Sequence, residues 1–394
     1  MLNAPDDACL VIADISGYTS YLAGVELDHA QDILADLMDT VVTSFRPTFR
    51  LAKLEGDAAF VYAIAPTVDG SALQDTIERT YFAFRRRLRD IGRASTCECN
   101  ACIRMPSLDL KVVAHHGPVA RQRIAGHEEL AGVAVIEVHR LLKNEVETAL
   151  GLTAYALYSQ ACLDAMRLAD PAAAGLIEHR ESYEHLGELT VWIRDLAAAW
   201  TAEGERSRVV VEASQAIMDR HVFVPAPPAI AWEYQTSPAR RPQWQHGVVR
   251  VDETPVAGRR GVGTTNHCIH GKDAIVEEIL DWRPYDYWTQ RFQIPAPGVP
   301  KFTLMYGYEA GDDGTWITAR VLRPRSARDR ATFEMVKPML EAALDEGLTA
   351  LTEALVEEMR RQAAEAAAHP EPVVPVSAGR FATEPAGSTA TRPS

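Results

Sequence analysis

Val11-Ile-Ala-Asp14-Ile-Ser-Gly17-Tyr-Thr19 closes one apolar run, and Lys53-Leu-Glu-Gly56-Asp57 opens the next, Ala58 to Ala63. The first run, Leu10 to Ala13, reads as a buried strand that stops at Asp14, where Ser16 and Gly17 turn the chain. If the two runs are antiparallel neighbours, their ends bring Asp14 and Asp57 close enough to share a hard cation, Mg2+ or Mn2+. A cation held by one or two carboxylates plus substrate phosphates is the usual arrangement for phosphoryl and nucleotidyl chemistry. The plainer reading makes both aspartates ordinary turn residues.

Leu27 to Phe45 places Ile33, Leu34, Leu37, Met38, Val41 and Val42 at helical spacing. Leu73 to Ile91 repeats the pattern with Ile77, Tyr81, Phe84 and Leu88, and ends in Arg85, Arg86, Arg87 and Arg89, which we read as a solvated helix terminus. Leu108 to Ala114 predicts a strand running into His115-His116-Gly117-Pro118, two histidines assigned to structure rather than catalysis. Ala131 to Asn144 turns helical at its end, and Glu188 to Leu196 closes the unit with a strand. Strands and helices alternate without a parallel repeat, so the expected class is α+β.

Residues 8 to 198 resemble the class III nucleotidyl (adenylate/guanylate) cyclase domain in a divergent bacterial branch. The resemblance rests on Asp14-Ile-Ser-Gly-Tyr-Thr19, Lys53-x-x-Gly56-Asp57 and His116-Gly117-Pro118. It implies a ferredoxin-like fold with metal on Asp14 and Asp57, Lys53 and Glu129 at the purine, and Arg140 on the phosphates of a nucleoside triphosphate. It also implies a site shared between two copies, hence a homodimer. Where the family places a ribose-holding asparagine this chain has Ile136, which makes no hydrogen bond; Glu137 and His139 are its polar neighbours.

Composition bounds the rest. With 394 residues, 47% hydrophobic and 24% charged, the chain has room for two soluble globular domains. A net charge of -14 argues against nucleic-acid partners. No apolar run long enough for a membrane span and no signal-peptide pattern is visible, so a cytoplasmic location is expected. Three of the six cysteines, Cys97, Cys99 and Cys102, lie within six residues; a Zn2+ site, a redox-sensitive loop and an ordinary surface loop all fit that spacing.

After a polar linker at 201–215 the grammar changes. Residues 216–368 give a strand, a short helix from Ile230, short strands broken by glycines, a Gly311-Asp-Asp-Gly314 hairpin turn, and a long helix from Ala331 to Ala368. That order resembles the START/Bet v 1-like (SRPBCC) helix-grip fold, which implies a cavity for a small hydrophobic ligand. Trp244, Trp282, Trp288 and Tyr306 are candidate wall residues, against the plainer view that strand aromatics form core. His267 and His270 could anchor a polar group or bond to solvent or core. Residues 369–394, rich in Pro, Ala, Ser and Thr, are expected to be disordered.

The chain therefore reads as a ligand-regulated cyclase forming a cyclic mononucleotide from ATP or GTP. Its rivals are an inactive cyclase-like scaffold and a small-molecule or lipid binder acting through the second domain.

Overall fold

The computed structural model describes residues 5–25, 27–64, 69–94, 99–124, 127–168, 170–183, 187–205, 208–256, 258–271, 273–296 and 298–368. Cys97 and the tail at 369–394 lie outside them.

The first half is an eight-stranded sheet: β1 (Asp6–Ser16), β2 (Arg50–Glu55), β3 (Ala58–Ile64), β4 (Asp109–Ile124), β5 (His127–Ala131), β6 (Tyr155–Ser159), β7 (Ile177–Tyr183) and β8 (Gly187–Asp195). Their order is β2-β3-β1-β4-β6-β8-β7, with β5 on β4. Strand β1 runs antiparallel to both β3 and β4. With helices Leu27–Phe45 and Gly70–Ala94 as crossovers, the first four strands form the ferredoxin-like βαββαβ arrangement. The continuous apolar run in β1 follows from burial on both faces. Cys9, Val11, Ala13 and Ile15 join the core under the two helices, while Ala8, Leu10 and Ile12 meet Ala134, Val138 and Leu141 from helix Val133–Leu141.

The second half is an all-antiparallel seven-stranded sheet built from β9 (Ala216–Val224), β10 (Arg250–Thr254), β11 (Thr265–His270), β12 (Asp273–Arg283), β13 (Tyr287–Gln293), β14 (Phe302–Gly311) and β15 (Gly314–Leu322), in the order β10-β11-β12-β13-β14-β15-β9. It wraps the Ala327–Ala368 helix, which sends Phe333, Leu348, Leu351 and Leu355 into the core. The expected Gly311–Gly314 hairpin joins β14 to β15.

The segment expected as a linker is docked. Helix Leu196–Glu205 runs into it, the Val209 N–H donates to Asp281 at 2.8 Å, and Val211 packs with Tyr287 and Met305. The two halves also meet along the Gly70–Ala94 helix. Arg260 is ion-paired to Asp69 at 2.9 Å and to Glu253 at 2.6 Å, and its backbone N–H donates to Ser71. Arg259 and Arg194 both donate to the buried Glu78, at 2.6 and 2.8 Å. Trp282 donates to Asp75 at 3.0 Å, and Thr76 shares a hydrogen bond with Tyr285. The arginines expected in solvent at the end of this helix are partly engaged: Arg87 bonds Asp36 through two nitrogens and Arg85 lies 3.6 Å from Asp109.

Candidate functional site

The first site forms where β1 and β3 end. Asp14 pairs with Ala58 across the strands, and the Ile15 N–H donates to the Asp57 carbonyl at 3.1 Å. Gly56 makes the turn before Asp57 with φ 70, a conformation glycine adopts without strain. The two carboxyl groups thus come together, and burial, followed by the Asp14 charge, raises the pKa of Asp57. The sequence missed Lys111. It sits opposite Asp14 on β4, with its ammonium 2.9 Å from the Asp14 carboxylate. A single lysine in the otherwise apolar Leu110–Ala114 run was the available signal.

Two carboxylates fit a hard cation that brings its own phosphate and water ligands. Lys111 would have to yield at least part of Asp14 to it. Among the described residues no group of three or more His, Cys, Asp or Glu side chains is placed to hold a metal. Cys99 and Cys102 pack half-buried against the first core, on either side of the start of the short Asn100–Arg104 helix.

Lys53 and Glu129 also meet, at 4.0 Å, each about two-fifths exposed, with Glu55 3.0 Å from Lys53. Arg140 lies half-buried in the last turn of helix Val133–Leu141, and Ile136, one turn earlier, is 55% exposed. Both polar neighbours of Ile136 are committed elsewhere. Glu137 lies 3.0 Å from His115, which in turn bonds Ser159, and His139 bridges Glu55 and the Val135 carbonyl. The Glu137–His115–Ser159 chain has the residue types of a hydrolytic triad. However, Ser159 is buried and accepts from the Cys162 N–H as a helix cap, so the chain is structural.

The second site is a cavity of about 240 Å3 beneath the Ala327–Ala368 helix. Trp244, Trp288 and Tyr306 line it with Phe292, and the Trp288 and Tyr306 rings stack at 5.3 Å. Trp282, grouped with them from the sequence, lines the cleft between the halves instead. It still touches Trp288, with ring centroids 6.2 Å apart. The cavity also holds polar residues that the sequence reading passed over. Arg241 and Glu277 form a buried bidentate pair at 2.6 and 2.8 Å, with Gln235 and Gln290 beside them. Gln290 falls between Trp288 and Phe292 at the period of two along β13, a signal that places it on their face. His270, read as a polar anchor or a solvent-bonded residue, lines the cavity, and burial followed by Arg241 lowers its pKa.

Residues 34–149 match the family described as a protein of unknown function (DUF2652), and residues 215–356 match Polyketide cyclase / dehydrase and lipid transport. The chain is 37% identical over 169 residues to the uncharacterized protein Rv2561/Rv2562 of Mycobacterium tuberculosis, covering 42% of this chain and 74% of that protein. Among solved structures, the guanylyl cyclase Cya2 is 15% identical with a TM-score of 0.37, covering 49% of this chain and 93% of that one. The adenylyl cyclase CyaB from P. aeruginosa is 13% identical with a TM-score of 0.34, covering 48% and 95%. Ara h 8.0201 is 13% identical with a TM-score of 0.29, covering 36% and 97%. Likeness at this level identifies no function.

Proposed function

The chain belongs to the same family as that mycobacterial protein, and from its geometry we propose that it binds a small ligand in the helix-grip cavity and communicates occupancy to its α+β half. One observation carries this reading: Tyr306 and Trp288 wall the cavity, Trp288 touches Trp282, and Trp282 donates to Asp75 on the Gly70–Ala94 helix. A ligand that shifts the first pair of rings acts on a contiguous series of contacts ending in the other half. The test is titration of tryptophan fluorescence with 2-naphthamide, comparing wild type with Gly347→Leu. A Cβ at Gly347 meets only Trp244, at 3.9 Å, so the leucine enters the cavity and also favours the helix. Saturable binding that Gly347→Leu abolishes is expected; binding that survives the substitution would place the ligand elsewhere.

A second reading, class III nucleotidyl cyclase, is favoured by the Asp14–Asp57 pair. Mutual repulsion in a half-buried setting is what a divalent cation relieves, and such a cation would polarise phosphate and the attacking hydroxyl. Lys53 and Glu129 would read the base, Arg140 would bind phosphate, and a second copy of the chain would complete the site. Incubation with Mn2+ and ATP or GTP tests it. Cyclic product that falls at least about a hundredfold in Asp57→Ala supports turnover at this pair. Product that survives the substitution, or a wild type that neither turns over nor binds nucleotide, refutes it. Nucleotide binding without product identifies an inactive cyclase-like scaffold.

A further inference from the structure

The cavity under the long helix has a polar floor with unused bonding capacity. Among the described residues, the Gln235 Nε2, Gln290 Oε1 and His270 Nε2 atoms are buried without a hydrogen-bond partner, and all three residues line this one cavity. Buried polar groups nearly always have partners, so three with open bonding capacity around one space offer a guest a set of directed hydrogen bonds. Gln235 is fixed in orientation, because its Oε1 accepts from the Tyr308 hydroxyl, which in turn accepts from the Trp288 indole N–H. Its Nε2 therefore presents a donor, whereas Gln290 Oε1 presents an acceptor.

The same floor disfavours an ion. Arg241 is already neutralised by both oxygens of Glu277 and also donates to Gln245, and the lowered pKa of His270 keeps its imidazole uncharged at neutral pH. A carboxylate or phosphate would have to break the buried pair, leaving Glu277 without its cation. The rest of the lining includes apolar surface, with the stacked Trp288 and Tyr306 rings, Phe292 and Leu344. At about 240 Å3 the space lies below the range of drug-sized pockets, about 300–1,000 Å3.

We propose that the ligand is a small, neutral, planar amphiphile with a hydrogen-bond acceptor and a donor at one end, of the carboxamide or phenol type, bound with that end on Gln235 and Gln290. This rests on the ligand-binding reading above and narrows its small ligand to a neutral, polar-headed one.

A matched series on one ring tests it: 2-naphthamide, 2-naphthol, 2-naphthoate and 2-methylnaphthalene, titrated by calorimetry into the full chain and into Gln290→Leu. The amide should bind the wild type at least about tenfold more tightly than the methyl compound, and the naphthoate should be weaker than the amide. Gln290→Leu should erase the preference for amide over methyl while still binding 2-methylnaphthalene, which also shows that the variant is folded. Equal binding of amide and hydrocarbon to the wild type, naphthoate binding tightest, or a preference unchanged in Gln290→Leu would each overturn the proposal and leave ligand binding standing. A wild type that binds no member of the series would overturn both.

Discussion

Lys111 stands beside the Asp14–Asp57 pair. Its ammonium neutralises Asp14 and, as a nearby cation, lowers the pKa of Asp57 against burial and repulsion. Lys111→Met removes that charge at similar volume. The expected result is a further rise in the Asp57 pKa and tighter Mn2+ binding by the full chain, read by electron paramagnetic resonance titration; unchanged affinity would speak against a metal pair. Asp14 and Asp57 were legible because strand ends and a Gly-Asp turn are local patterns. Lys111 was not, because its role comes from cross-strand register with Asp14, which no short window contains. Ile136 was legible as a departure, but the commitment of Glu137 to His115 and of His139 to Glu55 depends on tertiary approach.

At the scale of the element, the Gly70–Ala94 helix carries more than its apolar stripe. Ile77, Tyr81, Phe84 and Leu88 are buried as periodicity requires, but Asp75, Thr76 and Glu78 are buried too, against the second half. Polar residues on a helix read as a solvated face unless a partner surface is known, so this face was hidden from the sequence. Burial pushes the Asp75 carboxyl up to about 7, opposed by Arg259, the Trp282 N–H and Arg260 and reinforced by Glu78. The folded state therefore keeps a proton that the unfolded chain releases near pH 4, and stability falls as pH rises from there through 7. Glu233, also raised to about 7 by burial and then by Asp69, acts in the same direction. Asp75→Asn should leave the melting temperature nearly unchanged below pH 4 and raise it at pH 8, by a gain of up to a few kcal/mol, on the order of the removed ionisation penalty. A melting curve that loses none of its pH dependence would show that folding leaves the Asp75 pKa where it is in the unfolded chain. The Arg85–Arg89 cluster shows the same limit, since Arg87 finds Asp36 on a neighbouring helix 51 positions away in sequence.

At the scale of the whole molecule, two sheets are locked together by buried charge. Arg259→Ala would leave Glu78 with Arg194 alone, at an expected cost of about 1.5–3 kcal/mol, measured by chemical denaturation. Gly258 is as constrained: it holds φ 71, and a Cβ there would come within 2.4 Å of the Asp170 carbonyl oxygen and 2.7 Å of the Ala174 nitrogen in the first half. Gly258→Ala should therefore lower the melting temperature by several degrees, whereas Gly271→Ala, also at positive φ but with nothing within 4 Å, should cost less. The change of grammar near residue 215 was legible, because a meander of short strands and a long helix differ locally from what precedes them. That the intervening segment is pinned by Asp281 and Met305 was not. This pinning, with the shared helix, makes each half part of the other's interior. On heating, the chain should accordingly absorb heat in one calorimetric peak, with van't Hoff and calorimetric enthalpies equal for both halves together; Arg259→Ala should split that peak in two.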